Sequence, residues 1–317
     1  MLRKGFLLVM ILIVSVALFA TGGKEKEEKR KFITIKSSSI GGSWYSGGAA
    51  WAKIITDNTK YIATNSASNA SNDSIQQLID GEAQLAFMDG TAGYPAYKGQ
   101  GDWKKPVEIR ALFGLWPGVF NFLVHEKSNI KDLYGLKGKT IATYVDGHPA
   151  GESFIELLAM HGVTPQNTKI YRIMKNDATR MFIDEKADCL IYAFGHGHAN
   201  LKEMTASRKI KFIFGDLKHI EPWLKKYPFY FYEPFGKEFG VEDNNQFVSP
   251  YFTICLASLP IDQAYLFTKV WYENWGYLME VLPNNMPWVN KADPMAGIPI
   301  PIHPGAEKYF KEKGIIK

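Results

Sequence analysis

Apolar residues recur along this chain with two different spacings, and the switches between them mark out its elements. Phe32-Ile33-Thr34-Ile35-Lys36 alternates as a half-buried strand does, and Ala49-Ala50-Trp51-Ala52-Lys53-Ile54-Ile55 carries apolar residues at helical spacing. Between them, Gly41-Gly42 and Gly47-Gly48 bracket Ser43-Trp44-Tyr45-Ser46. That stretch reads as a loop in which backbone N–H groups can approach a ligand while two aromatic rings form a wall. The helix after it would aim unpaired N–H groups and a partial positive charge at the same place, which favours an anion. A glycine-rich connection between two core elements is the competing reading. A phosphate loop fits less well, since no Gly-Lys-Ser/Thr follows.

The same unit recurs downstream. Ile75-Gln76-Gln77-Leu78-Ile79 predicts a short helix entered from the polar run 63–74, with Ser71, Asn72 and Asp73 as its capping residues. Gln84-Leu85-Ala86-Phe87-Met88-Asp89 reads as a buried strand ending on a carboxylate, and 110–113 and 119–124 as two more, the latter crossing into a second lobe. A strand at 139–144, a loop at 145–150 and an amphipathic helix at 151–161 follow; a strand at 189–194, the loop Gly195-His196-Gly197-His198 and a helix at 199–206 repeat the order. Strands separated by helices imply α/β architecture with parallel sheets, whose ligands bind where the carboxyl ends of the strands gather. After Glu221 the pattern changes to an aromatic extended segment (227–232), a strand (251–257) and one long helix (261–282) whose rings read as core rather than as a cofactor box.

Charge and cysteine content narrow the class. Residues 1–22 have Arg3 and Lys4, the apolar run 6–20 and then small residues, the pattern of a cleaved secretory signal peptide. The run is shorter than the roughly 20 residues a spanning helix needs. Thr21 stands where a lipoprotein would carry its modified cysteine, so no lipid anchor is expected. Residues 23–31 form a charged tether without an apolar side chain. The first 31 residues hold seven Lys or Arg against three Glu, which leaves the rest of the chain almost neutral out of a total of +5. That excludes a basic surface for nucleic acid. Cys189 and Cys255 lie in apolar runs and read as buried free thiols, with a disulfide as the alternative that export would permit.

Several stretches resemble a known family: the order of Gly-Gly-Ser-Trp-Tyr-Ser-Gly-Gly (41–48), Gly81-Glu82-Ala83, the run Asp-Leu-Tyr-Gly-Leu-Lys-Gly-Lys-Thr (132–140), and the ending Pro301-Ile302-His303-Pro304-Gly305-Ala306 with Tyr309. They are similar to the TAXI family, extracytoplasmic solute receptors of TRAP transporters, over residues 33–314. The resemblance implies a periplasmic-binding-protein fold of type II, two α/β lobes around a central ligand cleft, with lobe 1 from 32–118 and about 236–317 and lobe 2 from about 119–235. It implies closure on a small organic acid or amino acid, glutamate-like, delivery to a TRAP membrane permease, and neither catalysis nor a cofactor. The chain departs from the family at Gly147-His148-Pro149-Ala150, where two hydroxyls are lost, at Asn69-Ala70-Ser71-Asn72-Asp73-Ser74, and at Asp89 in place of a usual Gln.

The expected ligand-binding residues are therefore Gly42, Ser43, Trp44, Tyr45, Ser68, Ser71, Ser74, Asp89, Gly147, His148, Ala150 and His196. A protonated His148 would assist carboxylate binding, and Asp89 would repel a carboxylate but pair with an amino group, which favours an amine-bearing solute. A metal held by His148, His196, His198 and Asp89 is the sharper alternative, but its spacing matches no familiar ligand set and none is assigned. Two other functions remain open: a binding protein that feeds a sensor, and a secreted hydrolase, which lacks a Gly-x-Ser-x-Gly elbow.

Overall fold

The computed structural model describes residues 31–317 apart from Ser39, Gly41, Asn69, Ala70 and Arg208. The leader expected over 1–22, and all of the tether except Lys31, lie outside the described residues. β1 (Lys31–Lys36), β2 (Tyr61–Ser66), β3 (Leu85–Asp89), β4 (Ile109–Gly114) and β12 (Tyr251–Leu256) form one sheet in the order β2-β1-β3-β12-β4. A second sheet contains β5 (Gly118–His125), β6 (Thr140–Thr143), β7 (Lys169–Arg172), β8 (Cys189–Ala193), β10 (Phe231–Phe235) and β11 (Asn244–Ser249), ordered β10-β11-β5-β8-β6-β7, and β9 (Ile210–Phe212) also pairs with β5. Helices α1 (Ser43–Asn58), α2 (Ser71–Ile79), α3 (Gly90–Lys98), α8 (Ile261–Glu273), α9 (Trp275–Val281) and α10 (Pro304–Glu312) belong to the first lobe. The second has α4 (Pro149–Met160), α5 (Lys175–Ile183), α6 (Ala199–Ser207) and α7 (Leu217–Lys226).

Each lobe has its own aromatic centre. In the first, Trp51 from α1 meets Phe113 and Trp271 edge-on at 5.1 and 5.9 Å and donates its indole N–H to Phe267 O. In the second, Phe154 and Trp223 stack at 5.6 Å against Phe247. Cys189 and Cys255 are buried free thiols in different sheets. Among the described residues no helix is long and apolar enough to cross a membrane.

The sheets are mixed rather than parallel, and the exceptions locate the crossings between lobes. β12 runs antiparallel to β3 and β4, and β5 antiparallel to β8, β9 and β11. Both β5 and β12 enter their sheets from the crossing segments, at the edge where β3 and β8 end: Tyr251 pairs with Asp89, and Phe120 with Ala193. A strand that arrives at the edge its neighbours leave must run against them. The return crossing, expected near 236, lies at Pro250, because β10 and β11 remain in the second sheet. The two crossings touch at Gly118, where a Cβ would come within 2.1 Å of the Tyr251 ring.

Three further expectations change. The presumed loop around Trp44 and Tyr45 is the first turn of α1, and Gly47 and Gly48 lie inside the helix. A Cβ on Gly48 would meet Asn65 Oδ1 at 2.3 Å, so the pair serves close packing of helix on sheet. The long helix breaks at Asn274, whose backbone and side-chain amides both donate to Val270 O. The His-Pro-Gly-Ala ending is a helix cap: His303 Nδ1 accepts from Gly305 N at 3.0 Å, Pro304 takes the first helical position, and Ala306, Tyr309 and Phe310 are buried.

Candidate functional site

Because Asp89 pairs with Tyr251 and Phe120 with Ala193, the carboxyl edges of both sheets lie beside the crossings, and their side chains meet there. From the first lobe come Trp44, Asp89 and Tyr251. Trp44 packs edge-on against Tyr251 at 4.7 Å, and its buried indole N–H has no partner. Asp89, 8% exposed, ends β3 and caps α3: its Oδ1 accepts from Thr91 N (2.9 Å), Thr91 Oγ1 (2.5 Å) and Ala92 N (3.2 Å). That bonding explains why a strand of this composition ends on an Asp followed by Gly-Thr-Ala. It leaves Oδ2 without a hydrogen bond or a cation among the described residues.

From the second lobe come Tyr144, His148 and Tyr230. Tyr144 follows β6 and accepts from Ala193 N through its hydroxyl at 2.7 Å, while its ring lies 4.3 Å from that of His148. Tyr230 shares a hydrogen bond with Ser153 at 3.2 Å. Burial holds the phenols of Tyr144, Tyr230 and Tyr251 well above their usual pKa, and the Asp89 carboxylate adds to the effect at Tyr230 and Tyr251. Burial also lowers the pKa of His148, opposed in part by Asp89 and Glu152. That direction works against the protonated form expected at His148, whose buried Nδ1 has no partner among the described residues. The Asp89 carboxylate of the first lobe therefore acts on His148 and Tyr230 of the second, and Tyr251 of the first on Tyr144 and Tyr230. Nearby, Gly90 and Phe229 touch across the lobes, with the fully buried and unpartnered Ser249 hydroxyl beside them.

The other expected residues distribute unevenly. Gly42 is the N-cap of α1, without a side-chain cap, so the first N–H groups of that helix, including those of Ser43 and Tyr45, are unspent within it. Asn65 Nδ2 donates to Tyr45 O at 3.0 Å. Ser71 opens α2, and Ser74, one turn on, is buried and donates to Ser68 Oγ at 2.8 Å. Gly147 adopts a positive φ of 76° and donates its N–H to Glu152 Oε1 at 2.9 Å. Arg172 braces the same loop through Asp146 and Glu152. Ala150 is fully buried in the second core, so its side chain is not available to a ligand.

His196 joins a different contact. It stacks on Trp288 at 3.6 Å and lies 3.1 Å from Glu238, and none of these belongs to the Asp89 group. His198 turns to Lys175, whose ammonium donates to Ala193 O at 2.5 Å and His198 Nε2 at 3.1 Å and sits over the Phe194 ring. Burial lowers the Lys175 pKa to about 8, and burial together with Lys175 pushes His198 down to about 3. The three histidines of the metal alternative thus have separate partners, and among the described residues no group of three or more His, Cys, Asp or Glu is placed to hold an ion. A cavity of about 150 Å³ between the crossings and the 290–296 segment has Tyr251, Phe231, Pro250 and Trp288 in its wall. Sequence reasoning missed Tyr144, Tyr230, Tyr251 and Ser249; each stands at a strand end or between strands, where alternation alone reads as core.

The profile of the NMT1-like family matches residues 35–314. Among solved structures the fold is similar to that of a binding protein component of an ABC phosphonate transporter from Pseudomonas aeruginosa, 12% identical with a TM-score of 0.53 over 82% of this chain and 80% of that one. It is also similar to a protein from Xanthomonas citri bound to chloride ion, 9% identical with a TM-score of 0.53 over 90% and 97% of the two chains. The fold is accordingly that of the two-lobed periplasmic binding proteins.

Two outcomes follow from the geometry. A Cβ on Gly90 would lie 2.5 Å from Phe229 Cβ, so Gly90→Ala should hold the lobes apart and raise the radius of gyration measured by small-angle X-ray scattering. A scattering curve identical to the wild type would mean that the lobes do not meet on this surface. Folded His198 stays neutral down to about pH 3, whereas the unfolded chain binds that proton near pH 6.5. Its contribution is therefore complete above pH 6.5 and is lost as pH falls towards 3. Denaturant titrations at pH 7.5 and 5 should show less acid destabilisation in His198→Gln than in the wild type; equal losses would contradict it.

Proposed function

The chain belongs to the NMT1-like family, and from that premise we propose that it is an extracytoplasmic solute receptor that closes two lobes on a small organic acid or amino acid and delivers it to a membrane transporter. The observation that carries this reading is that Asp89 and Tyr251, at the carboxyl edge of the first sheet and with Trp44 packed on Tyr251, lie close enough to Tyr144, His148 and Tyr230 of the second lobe to act on them electrostatically, while Gly90 next to Asp89 touches Phe229 next to Tyr230. Such an arrangement converts ligand contacts into lobe closure, since a solute that touches both halves stabilises only the closed state. The Asp89 oxygen that has no hydrogen bond among the described residues suits an ammonium, which favours an amino acid over a plain dicarboxylate.

Catalysis has little support in the same residues. Among the described residues no serine or cysteine is hydrogen-bonded to a histidine, and both thiols are held protonated by burial. For the membrane partner, the TAXI-like stretches at 41–48, 132–140 and 301–309 favour an ion-driven TRAP permease. The phosphonate-binding neighbour is a component of an ABC transporter, and an ATP-driven permease is the competing reading. The leader-like residues 1–22 support export to the compartment such a receptor occupies.

Thermal-shift screening of the mature protein against amino acids, keto acids and C4 to C5 dicarboxylates tests the reading. A solute at 100 times its dissociation constant adds about 2.7 kcal/mol to stability, so a bound member should raise the melting temperature clearly. A panel without a single stabilising member, together with turnover of any of them, would overturn it.

A further inference from the structure

Lys36 is the last residue of β1 and is 8% exposed. Its ammonium donates to Ser66 Oγ at 2.8 Å, and among the described residues no carboxylate lies within ion-pair distance of it. An ammonium has three hydrogens to place, and its desolvation is repaid only by acceptors or an opposite charge. The comparison with Lys175 is instructive. That lysine also lacks a carboxylate, yet a carbonyl, an imidazole and an aromatic face satisfy it. Lys36 has one hydroxyl.

Its neighbours do not make up the deficit. Ser37 Oγ is committed to Asn65 Oδ1 at 2.9 Å, and the Asn65 amide to Tyr45 O. The location is the carboxyl edge of the first sheet. Lys36 is in register with Ala86 on the adjacent β3, three residues before Asp89, and Ser66 ends β2 on its other side, next to the segment that leads to Ser68 and Ser71. A buried cation with a single acceptor and a carboxylate with one oxygen unbonded among the described residues thus stand on neighbouring strands at one edge.

We propose that Lys36 is the counter-charge for an acidic group of the solute, and that Lys36 and Asp89 together select solutes carrying both an acidic and an amino group. This rests on the receptor reading and adds to it the residue that recognises the anion. Ser66 shares the anion as a hydroxyl donor, and the unspent N–H groups at the start of α1 lie on the same lobe. Without solute, the ammonium is a cost to the fold that binding removes.

The test is isothermal titration of the wild type, Lys36→Met and Lys36→Gln with L-glutamate, L-alanine, succinate and putrescine, alongside melting of each protein without solute. The expected result is wild-type binding of an acid-bearing probe, at least a tenfold loss of that affinity in both variants, and a solute-free melting temperature for Lys36→Met equal to or above the wild type. Lys36→Gln keeps a donor for Ser66 without the charge, so wild-type affinity in that variant would assign the lysine a merely structural bond and overturn the inference. Binding of putrescine alone by the wild type would overturn it as well, while leaving the receptor reading intact. A wild type that binds none of the four probes removes the receptor reading as stated for this solute class, and the inference with it.

Discussion

Burying charge without a partner is the constraint on which this structure turns. Among the described residues Asp89 spends one oxygen on the first turn of α3 and has no hydrogen bond for the other, while the Trp44 indole, the His148 imidazole and the Ser249 hydroxyl are enclosed with unpaired atoms. Unmade hydrogen bonds of this kind destabilise a fold by about 1–3 kcal/mol each. Single atoms of this kind also occur in the cores, at Trp271 and His303 for example, so it is their concentration beside the unbonded Asp89 oxygen that points to a ligand. Here they are gathered where β3 and β8 end and β5 and β12 begin, the one region through which the two lobes are covalently joined.

That topology also bears on the lobe closure proposed above. The crossings meet where Gly118 lies bare under the Tyr251 ring and Leu115 N donates to Tyr251 O at 2.7 Å. The contacts that oppose opening lie farther out, between Gly90 and Phe229 and between His196 and Trp288. Each lobe is otherwise stabilised from within, by Trp51 and Trp271 on one side and by Phe154 and Trp223 on the other. Separate cores joined through two adjacent crossings are what a closure mechanism requires.

Much of the architecture was legible in the sequence because strand-to-helix changes of period are local. The α/β class, the units starting at 32, 84, 139 and 189, and the position of Asp89 at a strand end all follow from spacing. What was not legible depended on partners distant in sequence. Gly47 and Gly48 look like loop residues until Asn65 and Phe87 are seen against them, and the direction of β12 depends on which lobe its chain has just left. His196 looked equivalent to His148 because both follow a strand, yet Trp288 and Glu238, more than 40 residues away, capture it. The ending with His303, the most distinctive stretch of the sequence, turned out to cap a helix.

The central claim is that the two lobes close on a solute and release it unchanged. Pulsed electron resonance between spin labels on Lys104→Cys in the first lobe and Lys225→Cys in the second measures that motion directly, since both positions are exposed and both native thiols are buried. The account predicts a broad distance distribution without solute that shortens and narrows when a bound solute is added. One unchanging distribution, with and without a solute that demonstrably binds, would contradict it.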